Sequence, residues 1–412
     1  MFKKVKNIFI STFTFIAQGK RSANSGPIVP LLNFFKNKVE KLYILEQPLP
    51  MSDFLDIQFS FFEKGKLQKI YKKNFFFSNI SQKAQKKIKT YFRLKLRDIR
   101  ANLYFFIKNY KKIKKNKFDL FIGLECVNAI CGIIFKKIGL VDTVVYYIFD
   151  WTPYRYKNSL TNKLYLFLDK IATYYADYTW NITYKIEEAK INILRWNSKK
   201  MSPQLYVPYS VDYDPKMVLP DSKIDTNLII YCGGLIKNNG IFVLLDAFQK
   251  VIKNFPKAKL LFIGGYNEEK NLKRKIIQYR LTNNARVTGY LTDKNEILKL
   301  QSQGALGVAP YLNTEEGSNK AFGDVMKIRT YFVSGLVVIT TNVPPVAKEI
   351  QEEKLGYVTQ NDSAEEIAEA ISFFLKNKEL LFKYRKNVIS KAKQSNWEKN
   401  YRSTLEKMHI KI

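Results

Sequence analysis

The stretch NLIIYCGGLIKNNGIFVLLDAFQKVIKNFP, residues 227–256, joins a short strand to an amphipathic helix through a glycine turn. The run at 227–232 is largely apolar, as is typical of a strand that is covered on both faces. After the Gly233-Gly234 pair, apolar side chains recur three and four residues apart, which predicts a helix that Pro256 ends. The stretch therefore predicts one strand–helix unit of a parallel α/β sheet.

The same alternation of strand and helix continues through the second half of the chain. The further predicted strands are 259–263, 285–288, 306–309, 337–341 and 356–358. The predicted helices are 240–255, 270–279, 295–303, 325–333, 347–353 and 364–377. This order predicts a doubly wound α/β domain, whose ligands bind beyond the carboxyl ends of the strands.

The first half shows a similar alternation, although lysines interrupt it more often. The predicted strands are 6–13, 42–45, 119–122, 141–149 and 178–182, and the predicted helices are 82–115, 129–137, 164–176 and 186–193. Prolines between residues 203 and 215 mark a linker. We therefore expect an N-terminal Rossmann-like domain at 1–209 and a C-terminal one at 210–390. Residues 391–412 are expected to form a C-terminal helix that crosses back to the first domain.

The composition excludes several kinds of site. The chain has three cysteines, Cys126, Cys131 and Cys232, and one histidine, His409. Three cysteines cannot make a disulfide framework, and one terminal histidine argues against a His-ligated zinc site or a Ser-His-Asp triad. The apolar stretch at 8–17 contains hydroxyl side chains, which favours a buried strand over a signal peptide. We expect a cytoplasmic protein without a transmembrane helix.

The formal net charge of +33 is concentrated in the first half of the chain. Residues 1–200 carry 38 basic and 14 acidic side chains, whereas residues 201–412 carry 31 and 22. Such a field favours anionic partners such as lipid headgroups, nucleic acid or phosphate-bearing substrates. The alternative is compositional drift, because lysines far outnumber arginines and AT-rich genomes inflate lysine without any binding pressure.

Six segments between residues 206 and 350 resemble, in order and spacing, the nucleotide-sugar domain of GT-B glycosyltransferases of the family-4, or group 1, kind. The segments are YVPYSVD at 206–212, YCGGL at 231–235 followed by Asn239-Gly240, AKLLFIGG at 258–265, VTGYL at 287–291, GVAPY at 307–311 and the spaced set Lys327, Tyr331, Gly335, Val337, Val338 and Thr340. The resemblance implies the GT-B architecture, in which two doubly wound Rossmann-like domains face a cleft. That cleft is expected to close when the donor binds.

The resemblance also implies an activity. The chain is expected to move a sugar from a UDP- or GDP-linked donor to a glycan or lipid-linked acceptor, in the assembly of a surface polysaccharide or glycoconjugate. Transfer is expected to retain the anomeric configuration and to need neither a metal nor a resident cofactor. No nucleic-acid partner is expected, since the charge is not accompanied by a recognised reading module.

For the donor diphosphate, the candidates are the Gly233-Gly234 turn, Lys237 and Lys327. The family's phosphate-binding arginine and lysine fall on Gly234 and Asn239, so Lys237 is expected to replace them. Glycines allow backbone N–H groups to approach a phosphate closely, and a lysine that opens a helix places a point charge there. The alternatives are a plain strand-to-helix turn and a solvated helix lysine.

The family's E-x7-E pair is absent, because its positions fall on Phe322 and Thr330. Glu316 and Asp324 on the preceding loop are expected to rebuild the sugar contacts, with Thr330 and Tyr290 as further donor-binding candidates. These departures leave an alternative function open, in which a catalytically degenerate GT-B protein acts as a binding or scaffold module. An epimerase on this fold is disfavoured, because it would need more histidine and acidic residues.

Three further predictions concern the first half. Asp150 follows a predicted strand and is the candidate that orients or deprotonates the acceptor hydroxyl, unless it only caps the next turn. The Gly19–Ser22 loop, with Lys20 and Arg21, is expected to meet an acceptor phosphate or solvent. The basic, aromatic helix at 82–115 favours an anionic membrane surface, on the inner face of the cell membrane. The alternative is an ordinary core helix with a solvated lysine face.

Overall fold

The structure is a computed structural model that describes residues 2–17, 20–21, 27–49, 52, 55–75, 88–314 and 320–412. The chain forms two compact units, Met1–Pro208 with Trp397–Ile412, and Tyr209–Asn396. The boundary therefore lies one residue before the expected position. The second unit also extends beyond residue 390, because the buried Ala392 belongs to its core.

The helices and strands are numbered in chain order. The strands are β1 Lys3–Lys4, β2 Asn7–Thr14, β3 Ile16–Ala17, β4 Lys20–Arg21, β5 Lys41–Pro48, β6 Ile57–Glu63, β7 Lys66–Lys73, β8 Phe118–Leu124, β9 Val141–Ile148, β10 Tyr178–Asn181, β11 Gln204–Tyr206, β12 Leu228–Cys232, β13 Lys259–Ile263, β14 Ala285–Val287, β15 Leu306–Ala309, β16 Val337–Thr341, β17 Gly356–Thr359 and β18 Ile410–Lys411. The helices are α1 Ile28–Lys36, α2 Ile88–Lys108, α3 Tyr110–Lys115, α4 Cys126–Lys137, α5 Ser159–Tyr175, α6 Tyr184–Asn192, α7 Ile241–Asn254, α8 Glu269–Gln278, α9 Lys294–Ser302, α10 Met326–Val333, α11 Val346–Glu352, α12 Ala364–Lys376, α13 Lys378–Gln394 and α14 Trp397–Lys407. Short 3₁₀ turns lie at Ser198–Lys200, Pro215–Met217, Asp221–Lys223 and Lys237–Asn239.

The first unit is built on an eight-stranded sheet of order β11-β10-β9-β8-β2-β5-β6-β7. Strands β11 to β5 in this order are parallel, since helices connect most of them, whereas β6 and β7 pair antiparallel at one edge. Lys64 and Gly65 both have positive φ, 45° and 78°, as a two-residue hairpin turn requires. This hairpin was not predicted, because β7 (KLQKIYKK) is exposed and lacks an apolar run.

The C-terminal segment belongs to the first unit. Strand β18 pairs in parallel with β1, and the Trp180 indole N–H lies 3.2 Å from the sulfur of Met408. The hydroxyl of the buried Tyr401, on α14, donates a hydrogen bond of 3.1 Å to the Pro27 carbonyl. These contacts are made by residues after Trp397, so the returning segment begins later than residue 391.

The second unit is a six-stranded parallel sheet of order β14-β13-β12-β15-β16-β17. Apolar side chains of α7, α8, α12 and the start of α13 pack on one face, and those of α9, α10, α11 and the rest of α13 pack on the other. This confirms the predicted doubly wound domain. The strand order reverses between β12 and β15, and the loops beyond such a switch point are where open α/β sheets bind ligands.

No helix in the described part of the chain is both long enough and apolar enough to cross a membrane.

Candidate functional site

The loops after β12 and β13 meet backbone to backbone beside the switch point. Gly233 has φ 134° and Gly264 has φ 143°, and a Cβ on Gly264 would lie 2.1 Å from the Gly233 carbonyl oxygen. The Gly233 N–H donates to the Ile263 carbonyl at 2.9 Å. The backbone angles favour glycine at both positions, and at Gly264 the close approach of the Gly233 carbonyl also excludes a side chain.

The Gly233-Gly234 turn therefore offers a smaller anion cradle than the sequence suggested. The Gly233 N–H is already bonded within the sheet, so it is not available to a ligand. Gly234 differs, since a Cβ built there would meet no atom within 4 Å. Its N–H donates to no acceptor in the described part of the chain, and it remains the amide of the pair that a phosphate oxygen can reach.

Lys327 lies against this turn. Its ammonium is 3.1 Å from the Tyr231 hydroxyl oxygen and 4.1 Å from the centre of the Tyr231 ring. The centre of the Tyr311 ring is 4.9 Å away, and a Cβ on Gly233 would lie 3.3 Å from Lys327 Nζ. Lys327 is half-buried, and no carboxylate among the described residues forms an ion pair with it. Among the described residues, the site thus contains no anionic partner for the Lys327 ammonium.

Burial, with a smaller contribution from the neighbouring Lys320, lowers the pKa of Lys327 to about 7. Desolvation disfavours the charged ammonium, and a second positive charge acts in the same direction. An anion at the turn would offset both effects and stabilise the charged form. The arrangement is therefore suited to a ligand that brings negative charge, such as a diphosphate.

The fully buried Tyr231 and Tyr331 connect α10, the helix that carries Lys327, to the strands. The Tyr231 hydroxyl donates to the Gly234 carbonyl at 2.9 Å while it accepts from Lys327. The Tyr331 hydroxyl donates to the Val308 carbonyl at 3.1 Å and accepts from the Cys232 N–H at 2.8 Å. These bonds position α10, and with it Lys327, at the carboxyl end of the sheet.

Asp324 and Thr330 are engaged within the protein. The buried Asp324 carboxylate accepts a hydrogen bond of 2.9 Å from the Tyr209 N–H and pairs with Arg329 at 3.2 Å. Burial raises the pKa of Asp324, and Arg329 lowers it. The Thr330 hydroxyl donates to the Lys327 carbonyl at 2.7 Å and accepts from Gln301 at 3.3 Å. Asp324 therefore joins the start of the second unit to α10.

The remaining donor-site candidates lie on the surface or outside the described residues. The Lys237 side chain is 71% exposed, with its ammonium 4.0 Å from Glu268. Tyr290 is 68% exposed and follows Gly289, whose φ is 82°. Glu316 is not among the described residues. The structure thus brings Gly233, Gly234 and Lys327 together, whereas Lys237 and Tyr290 are exposed at the surface.

In the first unit, Asp150 follows the carboxyl end of β9 and is exposed. Its carboxylate pairs with Arg155 at 3.2 Å, and Arg155 also donates to the Asp150 carbonyl at 2.8 Å. Of the predicted acceptor loop, Lys20–Arg21 forms β4, while Gly19 and Ser22 lie outside the described residues.

Sequence reasoning missed Tyr231 and Tyr311, whose rings flank the Lys327 ammonium. Both stand in segments that resemble the family, YCGGL and GVAPY, but a tyrosine at a strand end reads as core. The available signal was their position beside a glycine turn and after a strand, where side chains reach the ligand edge of the sheet.

Comparisons with known proteins agree with this geometry. Residues 220–395 match the family model for glycosyl transferases group 1. An uncharacterized glycosyltransferase of Haemophilus influenzae is 22% identical over 298 residues, which cover 69% of this chain and 78% of that protein.

Solved structures resemble the chain over nearly its full length. The sucrose-phosphate synthase of Thermosynechococcus elongatus has a TM-score of 0.66 at 14% identity, covering 97% of this chain and 98% of that one. HepE of Anabaena in complex with UDP has a TM-score of 0.65 at 13% identity, covering 97% and 99%. These likenesses extend to both units, and the family match covers the unit that carries Lys327. We conclude that the chain has the GT-B fold and that its residues 220–395 match the family of group 1 glycosyl transferases.

Proposed function

We propose that the chain transfers a sugar from a UDP- or GDP-linked donor to a hydroxyl of a glycan or lipid-linked acceptor. The observation that carries this proposal is the half-buried Lys327 ammonium beside the Gly233-Gly234 turn, which has no carboxylate partner among the described residues. Such a cation, together with an open backbone amide, suits the diphosphate of a nucleotide sugar. The UDP complex of HepE, a protein of similar fold, supports the donor class.

The proposed chemistry follows from where charge develops. As the bond between the anomeric carbon and the diphosphate breaks, the leaving oxygen gains negative charge. Lys327, the Gly234 N–H and the N-terminal end of the eight-residue α10 would stabilise that charge. We propose that these groups make a metal unnecessary. We also propose that the acceptor oxygen bonds to the anomeric carbon on the face from which the diphosphate leaves, while the leaving phosphate accepts the hydroxyl proton, so that the anomeric configuration is retained.

A nucleotide screen tests the donor site. Melting temperatures would be measured with UDP, GDP, ADP and dTDP, each with and without EDTA. The proposal expects UDP or GDP to raise the melting temperature equally in both conditions, because binding to the folded state stabilises it. If no nucleotide raises the melting temperature, the donor site is wrong. If EDTA abolishes the shift, the proposal that no metal is needed is wrong.

The second candidate is a degenerate GT-B protein that binds a nucleotide sugar without turning it over. The observation in its favour is Thr330, which stands in place of a carboxylate and uses its hydroxyl within the protein. The two candidates differ in product formation. Release of free nucleotide from a bound sugar donor supports the transferase, whereas tight binding without release supports the scaffold.

We also propose that the enzyme works at the inner face of the cell membrane, in contact with anionic lipid. Along α2 and α3, four exposed apolar side chains lie seven, four and three residues apart, and therefore on one side of the helices: Leu96, Leu103, Ile107 and Tyr110. Exposed Arg93, Lys108, Lys111 and Lys115 accompany them. The acidic residue of α2, Asp98, is buried against Arg97.

This basic, apolar stripe suits anionic lipid better than the alternatives. A second copy of the chain would oppose like charges, and nucleic acid would leave the apolar side chains in water. Flotation with vesicles of anionic or neutral lipid tests it, using Ile107→Ser and, as control, Leu160→Ser on α5. The two side chains are similarly exposed, 72% and 75%. Only Ile107→Ser should reduce binding to anionic vesicles, and equal binding of both variants would contradict the stripe.

A further inference from the structure

A small pocket opens at the carboxyl edge of the sheet in the first unit, where β8 and β9 end. Its lining includes two carboxylates, one guanidinium and three aromatic rings: Glu125, Asp150, Arg155, Phe13, Phe149 and Tyr165. Carboxylates accept hydrogen bonds from hydroxyls, a guanidinium donates to them, and aromatic faces pack against C–H groups. This combination suits a hydroxyl-rich ring rather than a purely apolar or purely anionic ligand.

Glu125 has an unusual backbone conformation. Its φ is 73° and its ψ is 155°, a region that is populated essentially by glycine. The cause lies in the close packing of α4 on β8, since a Cβ on Gly123 would lie 2.5 Å from the Ala129 nitrogen. The chain must therefore turn within one residue between strand and helix. A glycine at this position would be less strained, so the presence of Glu125 points to a use for its side chain.

The Glu125 side chain is not used to cap the helix. It precedes α4 but accepts no hydrogen bond from the helix amides. Instead, the carboxylate pairs with Lys95 of α2, whose ammonium also lies 3.9 Å from Asp98. Lys95 is largely buried, with 16% of its side chain exposed. The ion pair thus holds the Glu125 carboxylate at the wall of the pocket.

A second carboxylate in the same pocket is also paired with a cation. Asp150 is paired with Arg155, and the Arg155 guanidinium lies 5.7 Å from the centre of the Tyr165 ring. The rings of Phe13 and Phe149 are in contact, with centres 5.0 Å apart. The pocket therefore presents two cation-paired carboxylates beside a pair of apolar rings.

We propose that Glu125 is an acceptor-binding residue, which accepts a hydrogen bond from a sugar hydroxyl of the acceptor. Phe13 and Phe149 would pack against the C–H face of the same sugar ring. The inference rests on the proposed function, because the acceptor is the second substrate of the transfer. It adds to the prediction made for Asp150, because it names a hydroxylated sugar as the part of the acceptor that this unit binds.

Binding of p-nitrophenyl glycosides, measured by saturation-transfer NMR at millimolar concentration, tests the assignment. Glu125→Gln keeps the shape and removes the charge. Asp142→Asn is the matched control, because Asp142 lies near the start of β9, at the opposite end of the strand from the pocket. Its side chain is 22% exposed, as is that of Glu125, and it also pairs with lysines, Lys3 and Lys117.

At least one glycoside should bind the wild type and Asp142→Asn equally, and Glu125→Gln should weaken that binding by about tenfold or more. If no glycoside binds the wild type, or if Glu125→Gln binds as the wild type does, the assignment is overturned. Nucleotide-induced melting shifts of the same proteins separate the two proposals. A wild type that binds a glycoside but no nucleotide contradicts the proposed function, and one that binds a nucleotide but no glycoside contradicts only this inference.

A second comparison measures the backbone strain independently. Glu125→Gly and Glu125→Ala both remove the carboxylate and its ion pair, but only glycine relieves the positive φ. The glycine variant should melt a few degrees higher than the alanine variant, while both lose glycoside binding. A higher melting temperature for the alanine variant, or glycoside binding retained by either variant, would contradict the inference.

Discussion

The Lys327 ammonium lies 3.1 Å from the hydroxyl oxygen of Tyr231, and that hydroxyl donates to the Gly234 carbonyl at 2.9 Å. A single tyrosine thus joins the cation to the glycine turn. Because the cation and the turn are contributed by segments almost a hundred residues apart, their proximity depends on this contact and on the packing of α10. Several consequences of this contact can therefore be tested by changing single residues.

Removing the Tyr231 hydroxyl should loosen Lys327. In Tyr231→Phe the ring remains above the ammonium, but the bonds to Lys327 and Gly234 are lost. We expect nucleotide affinity to fall by about five- to tenfold, in the range of one ordinary hydrogen bond, because the lost bonds position the ammonium and do not contact the nucleotide. Isothermal titration with UDP or GDP measures this.

Tyr311→Phe is the control for that experiment, because Tyr311 approaches Lys327 with its ring and not with its hydroxyl. Its affinity should match the wild type. If both phenylalanine variants bind the nucleotide as tightly as the wild type, the Tyr231 hydroxyl does not position the cation.

The affinity for the nucleotide should depend on pH. The pKa of Lys327 is about 7 without ligand, so the ammonium is charged below pH 7 and becomes neutral above it. A diphosphate binds the charged form, so the dissociation constant should rise between pH 7 and pH 9, by up to about tenfold per pH unit. The phosphate itself is fully ionised over this range, since its second pKa is about 6.

Lys327→Arg supplies the comparison, because a guanidinium stays charged throughout. The arginine variant should bind with an affinity that changes little between pH 7 and pH 9. A wild-type dissociation constant that is constant over the same range would show that the charge on Lys327 does not govern binding.

The glycines of the site should separate into structural and ligand-facing positions. Gly264→Ala places a Cβ 2.1 Å from a backbone oxygen at φ 143°, and we expect it to destabilise the second unit by about 3 kcal/mol. Gly234→Ala meets no atom within 4 Å, so its melting temperature should stay near that of the wild type while nucleotide affinity falls. Denaturant unfolding and titration together check both outcomes, and the reverse pattern would contradict them.

Asp324→Asn distinguishes a structural carboxylate from a sugar ligand. The buried pair with Arg329 is partly broken, and the loss of one partner of such a pair typically costs about 3–5 kcal/mol. We expect lower stability but an unchanged donor KM for the folded enzyme. A raised KM at unchanged stability would instead support the sequence-based prediction that Asp324 contacts the sugar.

The strand–helix alternation of the second unit was predictable because most strands there are short apolar runs that a glycine or proline follows closely. The hairpin of β6 and β7 was not, since its turn is only Lys64-Gly65 and its second strand is exposed and lysine-rich. The position of Lys327 beside the glycine turn was predictable from a resemblance in spacing. The roles proposed for Tyr231 and Glu125 were not, because they depend on a hydroxyl between distant segments and on a backbone angle, neither of which a local pattern contains.

The central claim is that Lys327 binds the donor diphosphate, and a titration of three proteins tests it most directly. The dissociation constant of UDP or GDP would be measured at pH 7 for the wild type, Lys327→Ala and Lys348→Ala, the last being an exposed lysine on α11. The account predicts that Lys327→Ala weakens binding by about tenfold to a hundredfold, as for a lost hydrogen bond to a charged group, and that Lys348→Ala binds as the wild type does. Equal dissociation constants for all three proteins would contradict it.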